Sequence, residues 1–246
     1  MKQALRYWWM AVTAALLAAC GGGGDDAGSG PNVAVGLYGG TSGADRAVRT
    51  LVLDTGRSYV IYGRSSASVI PLAGVVVGDV SVNGTAVGAT NMRDFNVESH
   101  VSSPATLAGT VAPRVSLNGT LTGAAAAIAT FSLAFDTAYD TAPSLGALAG
   151  AYVGEMAELA ASQPAVLNID SSGVLAGTTS EGCEVVGLAT THGSGNAYDI
   201  TVTFRPGCTE AGHTLKGHAF RDGSRLYAVV VSSDLNRAVV WAAVKS

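Results

Sequence analysis

Cys183 and Cys208, four histidines and two aspartates in turn-like settings are the side chains whose type and spacing could carry chemistry. The two cysteines bracket a pair of expected strands, 183–190 and 197–204. If these form a hairpin, both thiols lie at its open end, and a disulfide there closes a loop of about 25 residues, contributing around 3 kcal/mol. A metal site built from Cys183, Cys208, His213 and His218 is the competing arrangement, but the spacing matches no zinc pattern. Asp54, in Asp54-Thr55-Gly56, and Asp170, in Asp170-Ser171-Ser172-Gly173, each follow an apolar run. Two facing aspartates can share a proton and activate water. Asp and Gly are equally the residues a tight turn between strands requires, and the turn is the favoured reading. Glu155 and Glu158 read as a solvated strand end with its following loop. His100, His192, His213 and His218 fall in or beside loops or on one strand, where His218 alternates with Phe220. No serine sits in a Gly-x-Ser-x-Gly elbow. No catalytic residue, cofactor or metal is therefore expected.

The elements that hold these residues are β-strands. The chain has 32 glycines and only 13% charged residues. Val, Thr, Ser, Ala and Gly alternate in short runs, the pattern of an all-β protein. Candidate strands in the C-terminal half fall near 150–155, 164–170, 173–178, 183–190, 197–204, 214–221, 225–232 and 237–244. Gly193-Ser194-Gly195-Asn196, Asp222-Gly223-Ser224 and Ser233-Asp234-Leu235-Asn236 punctuate them as turns. Eight sequential short strands suit an up-and-down barrel, with a sandwich as the alternative. The last two strands are nearly continuously apolar and should be the best-buried pair. A membrane-spanning barrel is disfavoured, because the aromatic residues form no paired girdles.

An internal near-repeat divides the chain. Gly36-Leu37-Tyr38-Gly39-Gly40 and Gly150-Ala151-Tyr152-Val153-Gly154 share the pattern Gly-x-Tyr-x-Gly, and each precedes an apolar run ending in Asp and Gly. Two tandem small antiparallel β domains follow, 33–142 and 146–246. Asp136 to Pro143 reads as the connector, and Ser144 to Ala149 as one helical turn between Pro143 and Gly150. Two Asn-Gly pairs in the first domain, Asn83-Gly84 and Asn118-Gly119, mark a turn or a strand kink.

Ahead of both domains, Lys2 and Arg6 precede an apolar stretch, Tyr7 to Ala19, too short to span a bilayer and laid out as a secretory leader. Leu17-Ala18-Ala19-Cys20 at its end resembles a bacterial lipobox, which implies removal of residues 1–19 and acylation of Cys20. An ordinary secretory signal with a cysteine near its cleavage point is the alternative. Residues 20–32, lipidated Cys and Gly-rich run, read as a flexible tether. Losing Lys2 and Arg6 moves the net charge from −4 to about −6, which argues against nucleic-acid binding. Cysteine followed by glycines also resembles the N-termini of surface lipoproteins of the heparin-binding antigen, factor H binding protein and transferrin-binding protein B type. That resemblance covers about residues 1–30. It implies an outer-membrane, lipid-anchored location, on the periplasmic face or the cell surface, and small β-barrels behind the tether; it implies no ligand.

The sequence thus points to a non-enzymatic envelope lipoprotein that binds a protein or small ligand, or plays a structural role, through two β domains. A barrel carrying a small apolar ligand is one variant. The alternative is an envelope hydrolase: Leu51-Val52-Leu53-Asp54-Thr55-Gly56 resembles the signature of aspartic proteases, with Asp54 and Asp170 as the carboxylate pair.

Overall fold

The computed structural model describes residues 34–43, 46–64, 71–123 and 127–246. Cys20, the leader 1–19 and the tether 20–32 lie outside the described residues. The first half forms β1 (Gly36–Ser42), β2 (Arg46–Val52), β3 (Arg57–Arg64), β4 (Leu72–Asp79), β5 (Ser81–Asn83), β6 (Ala86–Asn96), β7 (Val101–Ala112), β8 (Ser116–Gly123) and β9 (Ala127–Phe135). All neighbours are antiparallel, β1 pairs with β9, and β4 skips the short β5 to pair with β6. Eight strands thereby close, and β5 hangs on β6 as an extra hairpin arm.

The second half repeats the design in β10 (Gly150–Glu158), β11 (Ser162–Ile169), β12 (Val174–Thr179), β13 (Glu184–Thr191), β14 (Ala197–Phe204), β15 (Thr214–Asp222), β16 (Arg225–Val231) and β17 (Ala238–Lys245). β10 pairs with β17 and closes the barrel, which excludes the sandwich. Closure leaves no unpaired edge among these strands. Between the barrels run a 3₁₀ turn, η1 (Thr137–Asp140), and one helical turn, α1 (Leu145–Leu148), whose first residues are capped by the Ser144 hydroxyl accepting from Ala147 N. The Cys183–Cys208 disulfide spans the open end of the β13–β14 hairpin. The thiols therefore serve no metal site.

The Gly-x-Tyr-x-Gly repeat has a structural cause. Tyr38 donates its hydroxyl hydrogen bond to Ala34 O at 3.0 Å, and Tyr152 does the same to Leu148 O at 2.6 Å. Each ring is fully buried in the core of its own barrel. The glycine two residues earlier takes φ +156° in one copy and +147° in the other, a region that penalises any side chain. The Asn-Gly pairs diverge. Gly84 turns the β5–β6 hairpin at φ +61°, whereas Gly119 lies inside β8 against Gly109 of β7.

Three apolar clusters account for the packing. One fills the first barrel and one the second. The third joins outward-facing residues of both, including Leu51, Leu53, Tyr59 and Val75 from the first barrel with Phe220, Tyr227, Val229 and Val240 from the second. The barrels thus meet face to face along an apolar seam. This explains the near-continuous apolar run of β16 and β17. Leu226, Ala228 and Val230 face the lumen; Tyr227 and Val229 face the seam. Arg49 of β2 ties the seam's edge to Asp222 of β15 at 2.9 Å.

Candidate functional site

The two lumens differ in what fills them. An eight-stranded barrel is just wide enough for its inward side chains to meet. The second barrel points Tyr152, Met156, Leu167, Phe204 and Trp241 inward, with Phe204 and Trp241 stacked at 6.3 Å, and retains only about 10 Å³ of free space. In the first, valines occupy much of the inward face, and a cavity of about 280 Å³ remains at one end. Val48, Val60, Leu121 and Phe131 form its apolar wall, and Arg46, Tyr62 and Asn96 its polar part. Arg46 reaches Glu98 through Nη2, at 2.5 Å, while its buried Nη1 has no partner among the described residues. A buried guanidinium N–H without an acceptor is a costly group.

Just beside this cavity Asp94 of β6 is nearly fully buried (4% exposed) and accepts a hydrogen bond from Tyr62 Oη at 2.8 Å. Burial pushes its carboxyl above the ordinary value of 3.8, against the opposing effect of the Tyr62 bond. The folded chain therefore holds this proton more tightly than the unfolded chain. Its contribution to stability is complete below about pH 3.8 and is lost as pH rises through the raised value. Asp94→Asn, which keeps the acceptor for Tyr62, is expected to raise the melting temperature at pH 7, with the gap to the parent protein closing toward pH 4. A lower melting point at pH 7 would contradict this.

A second polar group sits at the seam. Asp199 of β14 lies opposite His218 of β15 in the strand register, and His192 follows β13 on the same outer face. Asp199 Oδ1 is 2.8 Å from His192 Nδ1 and 3.1 Å from His218 Nε2. The far nitrogen of each ring meets the first barrel: His192 Nε2 lies 3.3 Å from Asp54 Oδ1, and His218 Nδ1 lies 2.7 Å from Tyr59 Oη. Ser194 also donates to Asp54 Oδ2, at 2.9 Å. Burial pushes His218 down to about 4 and keeps it neutral near pH 7, despite the Asp199 charge. Burial also works against a charge on His192, but its hydrogen bonds to Asp199 and Asp54 outweigh that and lift it above its ordinary value. Beside this cluster, a cleft of about 590 Å³ between the barrels is lined by Tyr59, His218, Arg57 and Lys216.

The residues singled out in the sequence fall apart into separate places. Asp170 accepts from Ser172 N, Ser172 Oγ and Val174 N, all within its own turn. Its counterpart in the first barrel is not Asp54. Leu53 N bonds Arg57 O and Gly56 N bonds Leu53 O, just as Asp170 N bonds Val174 O and Gly173 N bonds Asp170 O. Asp170 thus matches Leu53, and Asp54 matches Ser171, so the two carboxylates are not related by the repeat and share no hydrogen-bond partner. Glu155 accepts from Leu72 N at 3.0 Å across the seam. Glu158, three residues on and so on the opposite face of β10, is buried, and burial raises its carboxyl. His100 lies 2.9 Å from Leu159 O, and His213 lies in the turn region between β14 and β15. His192 and His218 are brought together with Asp54. Asp199 and Tyr59, which complete the cluster, carry no sequence signal beyond strand alternation.

Fold and cavities define a tandem closed β-barrel protein with one filled lumen, one partly open lumen and a polar cluster at the seam. No family model matches the sequence, and a search of curated proteins finds no relative. No helix among the described residues is long and apolar enough to cross a membrane.

Proposed function

We propose that this protein is a lipid-anchored, non-enzymatic component of the cell envelope that carries a small amphipathic ligand in the open end of its first barrel. The observation that carries this reading is the contrast between two similar barrels, one filled and one retaining about 280 Å³ lined in part by Arg46. The volume lies at the small end of ligand pockets, and an apolar wall with a few convergent polar groups is their usual make-up. The ligand class is a compact apolar body bearing an anionic or strongly accepting head. Support for the anchor comes from Leu17-Ala18-Ala19-Cys20 and the glycine tether. The Asp54/Asp170 hydrolase is the weaker alternative, since those carboxylates have separate partners.

The fluorescent probe 8-anilino-1-naphthalenesulfonate has the required apolar body and anionic head. It is expected to bind the folded protein saturably at one site. Val60→Trp, which fills the cavity, should abolish binding. Arg46→Gln should weaken it roughly tenfold or more, the usual worth of a charge-assisted hydrogen bond. Binding unchanged in both variants, with the fold intact by circular dichroism, would overturn the reading.

A further inference from the structure

The cluster at the seam has a second layer that a simple hydrogen-bond network does not need. His192, Asp199 and His218 each offer one ligating atom, and the three atoms lie within 4.8 Å of one another. Around a tetrahedral zinc ion, nitrogen and oxygen ligands at about 2.0–2.2 Å sit roughly 3.3 Å apart. The observed separations of 2.8 and 3.1 Å from Asp199 Oδ1 are close to that spacing, and the two ring nitrogens lie within 4.8 Å of each other. Protein metal sites hold each ligating imidazole by its other nitrogen, through a carboxylate, a carbonyl or water, which fixes the ring's orientation and tautomer. Here Asp54 stands at the far nitrogen of His192, and the Tyr59 hydroxyl takes the corresponding place for His218. Both come from the first barrel.

We infer that His192, Asp199 and His218 form a binding site for a divalent transition-metal ion of the zinc class, completed by Asp54 and Tyr59 as positioning residues from the other barrel. Two imidazoles and one carboxylate leave a further coordination position open. Asp199 is about half exposed (49%), which gives an ion a path in from solvent. The neighbouring cation Arg57 is paired with Asp79 at 2.8 Å, which offsets its repulsion of a bound ion. Because Asp54 and Tyr59 must be docked for the outer layer to exist, a bound ion would also fasten the two barrels together.

The test uses the full chain without a histidine tag, titrated with zinc chloride by calorimetry at pH 7.5. One zinc per chain is expected. Asp199→Asn and His192→Ala should abolish the site. Asp54→Asn and Tyr59→Phe, which touch no ion, should weaken binding roughly 10–100-fold while leaving one ion per chain. Absence of saturable binding in the parent protein overturns the inference. So does binding that survives Asp199→Asn and His192→Ala in a folded chain, since the ion would then sit elsewhere. The cluster shares no residue with the lining of the first barrel, so zinc binding and probe binding succeed or fail separately.

Discussion

Cys20→Ala is expected to abolish incorporation of labelled palmitate into the protein. Burying each methylene of an acyl chain is worth about 0.8 kcal/mol; one chain anchors marginally, whereas the second signal makes anchoring stable. Without the thiol there is nothing to acylate, and the Gly-Asp tether that follows offers no apolar surface to replace it. The barrels should fold as before, because the strands that close them lie within residues 36–245. Growth of cells on labelled palmitate reads the result directly. A variant that still takes up the label would mean that another residue is acylated, and the proposed anchor would be wrong.

The second large effect concerns the filled barrel. Trp241 is 3% exposed and stacks on Phe204 inside the second lumen. Trp241→Ala removes the largest side chain from a cavity with almost no spare volume, which costs about 3–5 kcal/mol. For a folded body of this size that is on the order of a 10 °C fall in melting temperature. The residual hole would be lined by Leu167, Ile169, Val202 and Leu226, all apolar, and such cavities stay dry and accept benzene. Benzene should therefore raise the melting point of the variant and leave the parent unchanged. A loss under about 1 kcal/mol would show that Trp241 is not part of a packed lumen. The same substitution makes plain what separates the barrels: by strand register the first barrel places Phe131 where the second has Trp241, and Ser42 where the second has Met156.

How far the sequence disclosed this depends on the element. The eight strands of the second barrel were legible because polar Gly, Ser, Asp and Asn clusters at 193–196, 222–224 and 233–236 break the apolar runs. The disulfide followed from the same hairpin register. The first barrel was harder to read: Asn118-Gly119 looks like a turn but lies mid-strand, and β7 runs through Pro104 without interruption. β16 and β17 announced burial on both faces, yet nothing in their composition said that one face meets a lumen and the other a neighbouring barrel. The likeness of Asp54 and Asp170 was a coincidence of turn chemistry, removed by the hydrogen-bond register. The seam cluster was invisible because its members lie on separate strands and because Tyr59 and His218 are 159 residues apart in the chain. Only closure of both barrels and their docking brings those side chains to contacts of 2.7–3.3 Å.

The proposed carrier function puts the ligand in the first lumen and not in the second. Methyl-resolved NMR of the folded protein during titration with 8-anilino-1-naphthalenesulfonate distinguishes the two. Saturable shifts are expected at Val48, Val60 and Leu121, with Leu167, Ile169 and Val202 unmoved. Shifts confined to the second set, or spread over the seam with the first lumen silent, would contradict it.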